Sequence, residues 1–247
     1  MNKQLLINHF KDTDVDIENI FIAQDIAKSC LQYMKSFLKP GLTRKQIHDE
    51  CERYMLEKGS MGFWIHNDPA LILFNKYTTY SAHEDPSYLF TDLFIEEDDL
   101  ITIDVAPMVN NGWGDFARTF IIQKGKLIDY KDCSNNEIKD AIDFEYKLHE
   151  LFINSLNDQI TFSTLHRIID DYVKANGYYN CDYHQNYGHT IENDQKDRIT
   201  IADGVDINIS KYNKPITFEP HICKVGSTYA VKHENMYVYY DQKVIEI

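Results

Sequence analysis

No run of apolar residues in this chain approaches the roughly 20 needed to span a bilayer. The opening stretch, MNKQLLINHFKDTDVD, is too polar and too soon broken by charge to serve as a signal peptide. Neither membrane insertion nor export is expected. Cysteine is sparse and shows no pairing pattern. Cys30, Cys51, Cys133, Cys181 and Cys223 are odd in number and lack CxxC spacing, which argues for free thiols in a reducing, cytoplasmic compartment. Positive charge is also short: 25 Lys and Arg stand against 39 Asp and Glu, with no basic cluster, so a nucleic-acid partner is disfavoured. What remains is enough chain for a sizeable core. The 247 residues fit one α+β domain, with residues 1–17 expected to be a loosely ordered arm.

An internal repeat organises the chain. A shift of 118 positions lays Leu42, Thr43, Ile47, Cys51, Tyr54, Met55 and Gly59 over Ile160, Thr161, Leu165, Ile169, Tyr172, Val173 and Gly177. Both segments read as helices that open on a capping threonine, carry apolar residues at i, i+4 and i+8, and stop at a glycine suited to the left-handed C′ position. A further amphipathic helix precedes each: one from about Ile20 to Leu38, and one introduced by a capping-box pattern at Ser134 and Glu137. Strand-like runs follow, at 70–76, 99–107 and 113–123, then at 215–224, 234–240 and 243–247. Two halves of helix, helix and sheet predict an α+β fold with a central antiparallel sheet and helices on its outer face.

Four acids and a histidine stand out against this plan: Asp104, Asp115, His189, Glu219 and Glu234. Each lies in a strand-like or turn-like apolar setting. Asp and Glu usually end on a solvent face or an edge strand, the ordinary fate for any one of these residues. Burying a carboxylate without a partner costs several kcal/mol, however, so four in such settings ask for a shared cation. A pair of divalent ions would supply it, and carboxylates with one imidazole suit manganese, iron, cobalt or zinc. Asp104 and Asp115 fall on one expected hairpin. A four-residue loop from Met108 to Asn111 would set them directly opposite each other, whereas a tight Asn111-Gly112 turn would offset them by four residues, roughly 13 Å. The wider loop is the expected one.

The stretch DDLITIDVAPMVNNGWGDFARTF at 98–120, with NYGHTIEN from 186, FEPH from 218 and HENMYV from 233, resembles the methionine aminopeptidase, prolidase and creatinase superfamily, the M24-type metallopeptidases of pita-bread fold. The likeness runs from about residue 20 to 247, without the additional amino-terminal domain of prolidases and creatinases. It implies that Asp104 is the two-oxygen ligand of one metal, that Asp115 and Glu234 bridge both, and that His189 and Glu219 complete the second. It also implies hydrolysis of an amide by a metal-bridging water, with Glu219 relaying its proton to the leaving amine. Substrates would be free peptide amino termini, Xaa-Pro bonds or small amides, acted on by a monomer or a homodimer.

The chain departs from the family pattern in two places. Lys196 stands where active members carry a second histidine that contacts the substrate, and Thr190 replaces the glycine after the metal histidine. A lysine can still donate a hydrogen bond and a positive charge to an oxyanion, but it is no proton shuttle near neutral pH. His83 sits near the place of another substrate-contacting histidine. His66, His184 and His221 are further pocket candidates, with a satisfied core or rim position the commoner fate. Two alternatives stay open beside the peptidase: a pseudoenzyme or peptide-binding module that keeps the fold, and a creatinase-like enzyme with another small-molecule substrate.

Overall fold

The computed structural model describes residues 3–64, 67–80 and 93–247. Helices form where apolar spacing and caps place them. α1 (Lys3–Phe10) leads into α2 (Ile17–Phe37), where the Asp16 side chain accepts from the Asn19 amide and Ala23, Ala27, Cys30 and Met34 make a buried stripe. α3 (Arg44–Glu57) opens on Thr43 in a full capping box with Gln46. In the second half α4 (Asn136–Ser155) and α5 (Phe162–Ala175) repeat the pair, before a short α6 (Ile209–Tyr212). The bounds of α5 are those of α3 displaced by 118 residues, and Thr161 caps it as Thr43 caps its counterpart. Gly59 and Gly177, at φ 102° and 77°, take the left-handed position that ends each.

Two expectations need correction here. α4 is capped by Asn135 rather than Ser134: the Asn135 side chain accepts from the Glu137 amide, while the Ser134 amide donates to the Gln123 side chain. Residues 3–17 are no loose arm. Leu6 and Phe10 of α1 are buried with Val15, Ile17, Met236 and Val238. That helix is only two turns long, and the consecutive Leu5, Leu6 and Ile7 blur its single apolar i, i+4 pair, Leu6 and Phe10.

The strands are β1 (Gly62–Phe63), β2 (Leu71–Phe74), β3 (Asp99–Val105), β4 (Pro107–Val109), β5 (Gly112–Trp113), β6 (Phe116–Gln123) and β7 (Lys126–Ile128) in the first half. β8 (Tyr178–Asn180), β9 (Ile216–Phe218), β10 (His221–Lys224), β11 (Ala230–Lys232), β12 (Asn235–Tyr240) and β13 (Lys243–Glu246) follow in the second. All the named pairings are antiparallel, in the orders β2-β3-β6-β7, β1-β4-β5, β11-β10-β8 and β13-β12-β9. One apolar cluster packs α2 and α3 on β2, β3 and β6; another packs α4 and α5 on the second half, with Leu100 and Ile121 reaching in from the first. The halves meet where Arg118 of β6 bridges to His233, just past β11.

His149 of α4 is sealed at that junction. Its Nδ1 is 2.7 Å from the Tyr237 hydroxyl and its Nε2 is 2.9 Å from the His233 carbonyl, and burial pushes its pKa from 6.5 down to about 3. The unfolded chain therefore takes up a proton below about pH 6.5 that folded His149 refuses until about pH 3. Its contribution to stability should fall by about 1.4 kcal/mol per pH unit across that window. Urea unfolding at pH 7, 6, 5 and 4 should show a shallower acid decline in His149→Gln than in the unmodified chain; parallel curves would refute the assignment.

Candidate metal centre

Only Asp104 lies inside a strand. Asp115 sits in the break between β5 and β6, Glu219 between β9 and β10, and Glu234 between β11 and β12. The expected hairpin register is corrected as well. β3 pairs Asp104 with Ala117, so Asp115 is offset by two residues, midway between the two anticipated geometries. The turn is Asn110-Asn111 between paired Val109 and Gly112, with Asn110 at φ 50°. An even offset leaves both aspartates on one face of the hairpin.

The structure brings all five residues together. Oxygens of Asp104, Asp115 and Glu234 lie within 4.8 Å of one another. His189 Nε2 is 3.5 Å from both Asp115 Oδ2 and Glu219 Oε1. The His189 ring is oriented by its other nitrogen, with Nδ1 3.0 Å from the Thr190 carbonyl. That bond places the proton on Nδ1 and turns the Nε2 lone pair toward the carboxylates, the tautomer a metal ligand needs.

Sequence reasoning missed the cation in their midst. Lys232 Nζ lies 2.5 Å from Asp104 Oδ2, 2.7 Å from Glu219 Oε2 and 3.8 Å from Glu234 Oε2, with its side chain 11% exposed. Burial alone would lower the ammonium pKa, but Asp104, Glu219 and Glu234 carry it well above its ordinary value. Burial likewise acts to raise the Glu219 carboxyl, and Lys232 and His189 overcome it and hold Glu219 low. One ammonium does not balance four carboxylates. Burial and the neighbouring acids push Asp115 and Glu234 well above the usual carboxylate range.

Buried backbone contacts hold the ligand loops. Gln24 of α2 clamps Asp115 from both sides: its Nε2 donates to the Asp115 carbonyl at 3.0 Å and its Oε1 accepts from the Asp115 amide at 2.8 Å. Gln24→Leu would strand both groups in the interior. It should cost about 2 kcal/mol or more in thermal or urea unfolding, and a change within error would refute the clamp. Gly188, at φ 146°, lets the His189 segment lie against β9, since a Cβ there would collide with the Thr217 carbonyl. Thr190, in place of the family glycine, accepts from the Ile199 amide and donates to Glu192. Its hydroxyl therefore ties the His189 strand to the segment that follows.

Trp64 walls the cluster, its ring 4.9 Å from that of His189, and Trp113 backs it with its ring 5.4 Å from that of Trp64. Both indole nitrogens are buried without a partner among the described residues. Lys196 stands apart. Its side chain is 82% exposed and its ammonium pairs with Asp194 at 2.9 Å. The cation that faces the cluster from this segment is Arg198, two residues on, whose guanidinium lies 5.6 Å from the Trp64 ring and whose field helps hold Glu219 low. Lys196→Ala should accordingly leave metal content and any peptide hydrolysis within about twofold of the unmodified protein. A larger loss on inductively coupled plasma analysis or a peptide assay would return Lys196 to the site.

Of the other histidines, His221 is satisfied by the Thr78 carbonyl at 2.5 Å and His184 lies in an exposed turn. His66 and His83 lie outside the described residues.

The donor set fits divalent metal. Both Glu234 oxygens are buried without a hydrogen-bond partner among the described residues, and converging carboxylates with one correctly tautomerised imidazole are the chemistry such ions take. Asp104, Asp115 and Glu234 converge closely enough to share an ion, and His189 and Glu219 border them. Among the described residues, no helix is long and apolar enough to cross a membrane.

Comparison with known proteins agrees with this chemistry. A methionine aminopeptidase of Salmonella typhimurium is 22% identical over 126 residues, 49% of this chain and 46% of that protein. The chain thus matches under half the length of that relative. An X-Pro aminopeptidase from Thermotoga maritima superposes with a TM-score of 0.78 at 17% identity, over 100% of this chain and 64% of its own. A methionine aminopeptidase from the same organism superposes at 0.70 and 13% identity, over 95% and 97%. At such identities the structures establish the pita-bread fold, with its two pseudo-symmetric halves. The model of metallopeptidase family M24 matches residues 18–241, and the chain belongs to that family.

Proposed function

We propose that this chain is a metal-dependent peptidase that cleaves an amide bond near a peptide amino terminus, with two divalent ions held by Asp104, Asp115, His189, Glu219 and Glu234. The observation that carries it is the buried carboxylate cluster, above all the two Glu234 oxygens, which have no hydrogen-bond donor among the described residues. When bound, such ions acidify a water and polarise the scissile carbonyl. Glu219, at the edge of the cluster and more exposed than its neighbours, is the acid-base group that passes a proton to the departing amine. Trp64 and Trp113 exclude bulk water from one side and offer indole N–H donors to a substrate backbone. Arg198, rather than Lys196, supplies positive potential toward the oxyanion.

The Lys232 contacts favour a second reading, in which an ammonium takes the place of one ion and the chain binds peptides without cleaving them. One experiment separates the two. Protein reconstituted with manganese or cobalt is analysed for ions per chain, then offered short peptides with Met, Ala or Xaa-Pro at the amino terminus. Two ions and cleavage support the peptidase. One ion or fewer, with binding but no cleavage, overturns it.

A further inference from the structure

Behind the metal centre, on the opposite face of the sheet, a cavity of about 860 Å³ opens between α2 and α4. The two faces are separated by strand alternation. Thr119 points toward Thr102 and Lys232 toward Asp104, whereas Arg118 and His233 point the other way, the latter with its ring 5.1 Å from that of Tyr146 on α4. Ser29 and Gln32 of α2 form the facing wall.

Asp25, Lys28, Lys35, Asp129, Lys232 and Glu246 also line this cavity, but Arg118 and Glu145 differ from the paired ones in making no ion pair among the described residues. Glu145 of α4 is 1% exposed, and neither carboxylate oxygen has a hydrogen-bond partner among the described residues. Arg118 directs three N–H groups at the Ala117 and Glu234 carbonyls and the Asn235 side chain and stacks 3.8 Å over Phe116, yet pairs with no carboxylate among the described residues. Two of its five donors remain. Burial pushes Glu145 well above the usual carboxylate range and lowers Arg118 to about 10. Both groups pay for desolvation without making an ion pair with each other. Neither directs its side chain at the carboxylates of the metal centre, although Arg118 holds the Glu234 carbonyl from behind.

We infer that this cavity is a second binding site that takes a small zwitterion, a free α-amino acid or a dipeptide, with its carboxylate on the remaining Arg118 donors and its ammonium on Glu145. A ligand with only an anionic group would leave Glu145 unmet, and one with only a cationic group would leave Arg118 unmet. A zwitterion satisfies both. The volume holds a dipeptide, and the Tyr146 and Phe116 rings offer apolar surface to a side chain. The inference does not rest on the peptidase reading: none of the five cluster residues lines the cavity, and Lys232, which does, is not used by the proposed ligand.

The test uses the full chain as purified, titrated with L-leucine and Ala-Ala by calorimetry and by amide and indole NMR. N-acetyl-L-leucine, L-leucinamide and inorganic phosphate are the single-charge controls. L-leucine and the dipeptide should bind at least about tenfold more tightly than any control, and Glu145→Gln should erase that margin. Shifts should fall on Ser29, Gln32 and Tyr146, while the two tryptophan indoles, both beside the metal centre, stay still. Ser29→Phe, which fills the cavity from α2, should abolish binding with an unchanged circular dichroism spectrum. It serves as the second probe if Glu145→Gln folds poorly. Equal binding of N-acetyl-L-leucine or phosphate, wild-type affinity in both variants, indole shifts in place of the helix-side ones, or no binding of L-leucine would each overturn the assignment.

Discussion

Lys232→Met is expected to destabilise the metal-free protein by about 3–5 kcal/mol and to make its folding depend on added divalent metal. The ammonium lies within ion-pair distance of Asp104, Glu219 and Glu234 in a site from which water is largely excluded. A methionine fills similar space but leaves those carboxylates facing one another. They can then relieve the repulsion only by holding further protons or by unfolding. Metal ions restore the missing positive charge, so the variant should recover most of its stability in manganese or cobalt, and the gap between metal-free and metal-loaded melting temperatures should widen relative to the unmodified chain. An unchanged metal-free urea midpoint would show that Lys232 contributes nothing to the balance of charge.

Glu219→Gln carries the largest expected effect on chemistry. If the chain hydrolyses peptides as proposed, kcat/KM should fall by about 10²–10⁴, the range for loss of a positioned acid-base group. The amide keeps the shape of the side chain and one oxygen near Lys232 and His189, so melting temperature should move far less than in the Lys232 variant. The pairing of a large kinetic loss with a small thermal one is the informative result. Activity within threefold of the unmodified enzyme would remove Glu219 from the proton path, and an equal collapse of both quantities would make it a structural residue.

The helical frame was legible because its signals are local. Thr43 and Thr161 cap, Gly59 and Gly177 terminate, and the apolar spacing between them survives in both halves. The five clustered residues were legible because charge in an apolar run is costly wherever the run ends up. The Asp104–Asp115 register was not, since Asn110, Asn111 and Gly112 permit several turns and tertiary pairing of Val109 with Gly112 chose one. Lys232 and Gln24 escaped notice for a different reason. A lysine in a polar stretch and a glutamine on an amphipathic helix look like surface residues until long-range packing, 128 and 91 residues away in sequence, turns them inward. The exchange of Lys196 for Arg198 as the cation facing the cluster is of the same kind. A short 3₁₀ turn at Gln195–Asp197 sends one side chain to solvent and leaves the next basic residue against Trp64.

The repeated halves have a consequence for assembly. The link between β7 and α4 runs through the short Tyr130–Asp132 turn, and Asp132, Ser134 and Asn135 along it are exposed. The first half carries Asp104 and Asp115, and the second carries His189, Glu219, Glu234 and Lys232. Cutting the backbone at Ser134 would therefore yield two fragments that each keep a helix pair with its strands, and neither would retain more than part of the cluster. Co-expressed fragments that find each other would rebuild the cluster at their junction, so recovery of metal binding becomes a reporter of docking between the halves. In that sense the cluster acts as a clasp, closed only when two pseudo-symmetric halves are in register.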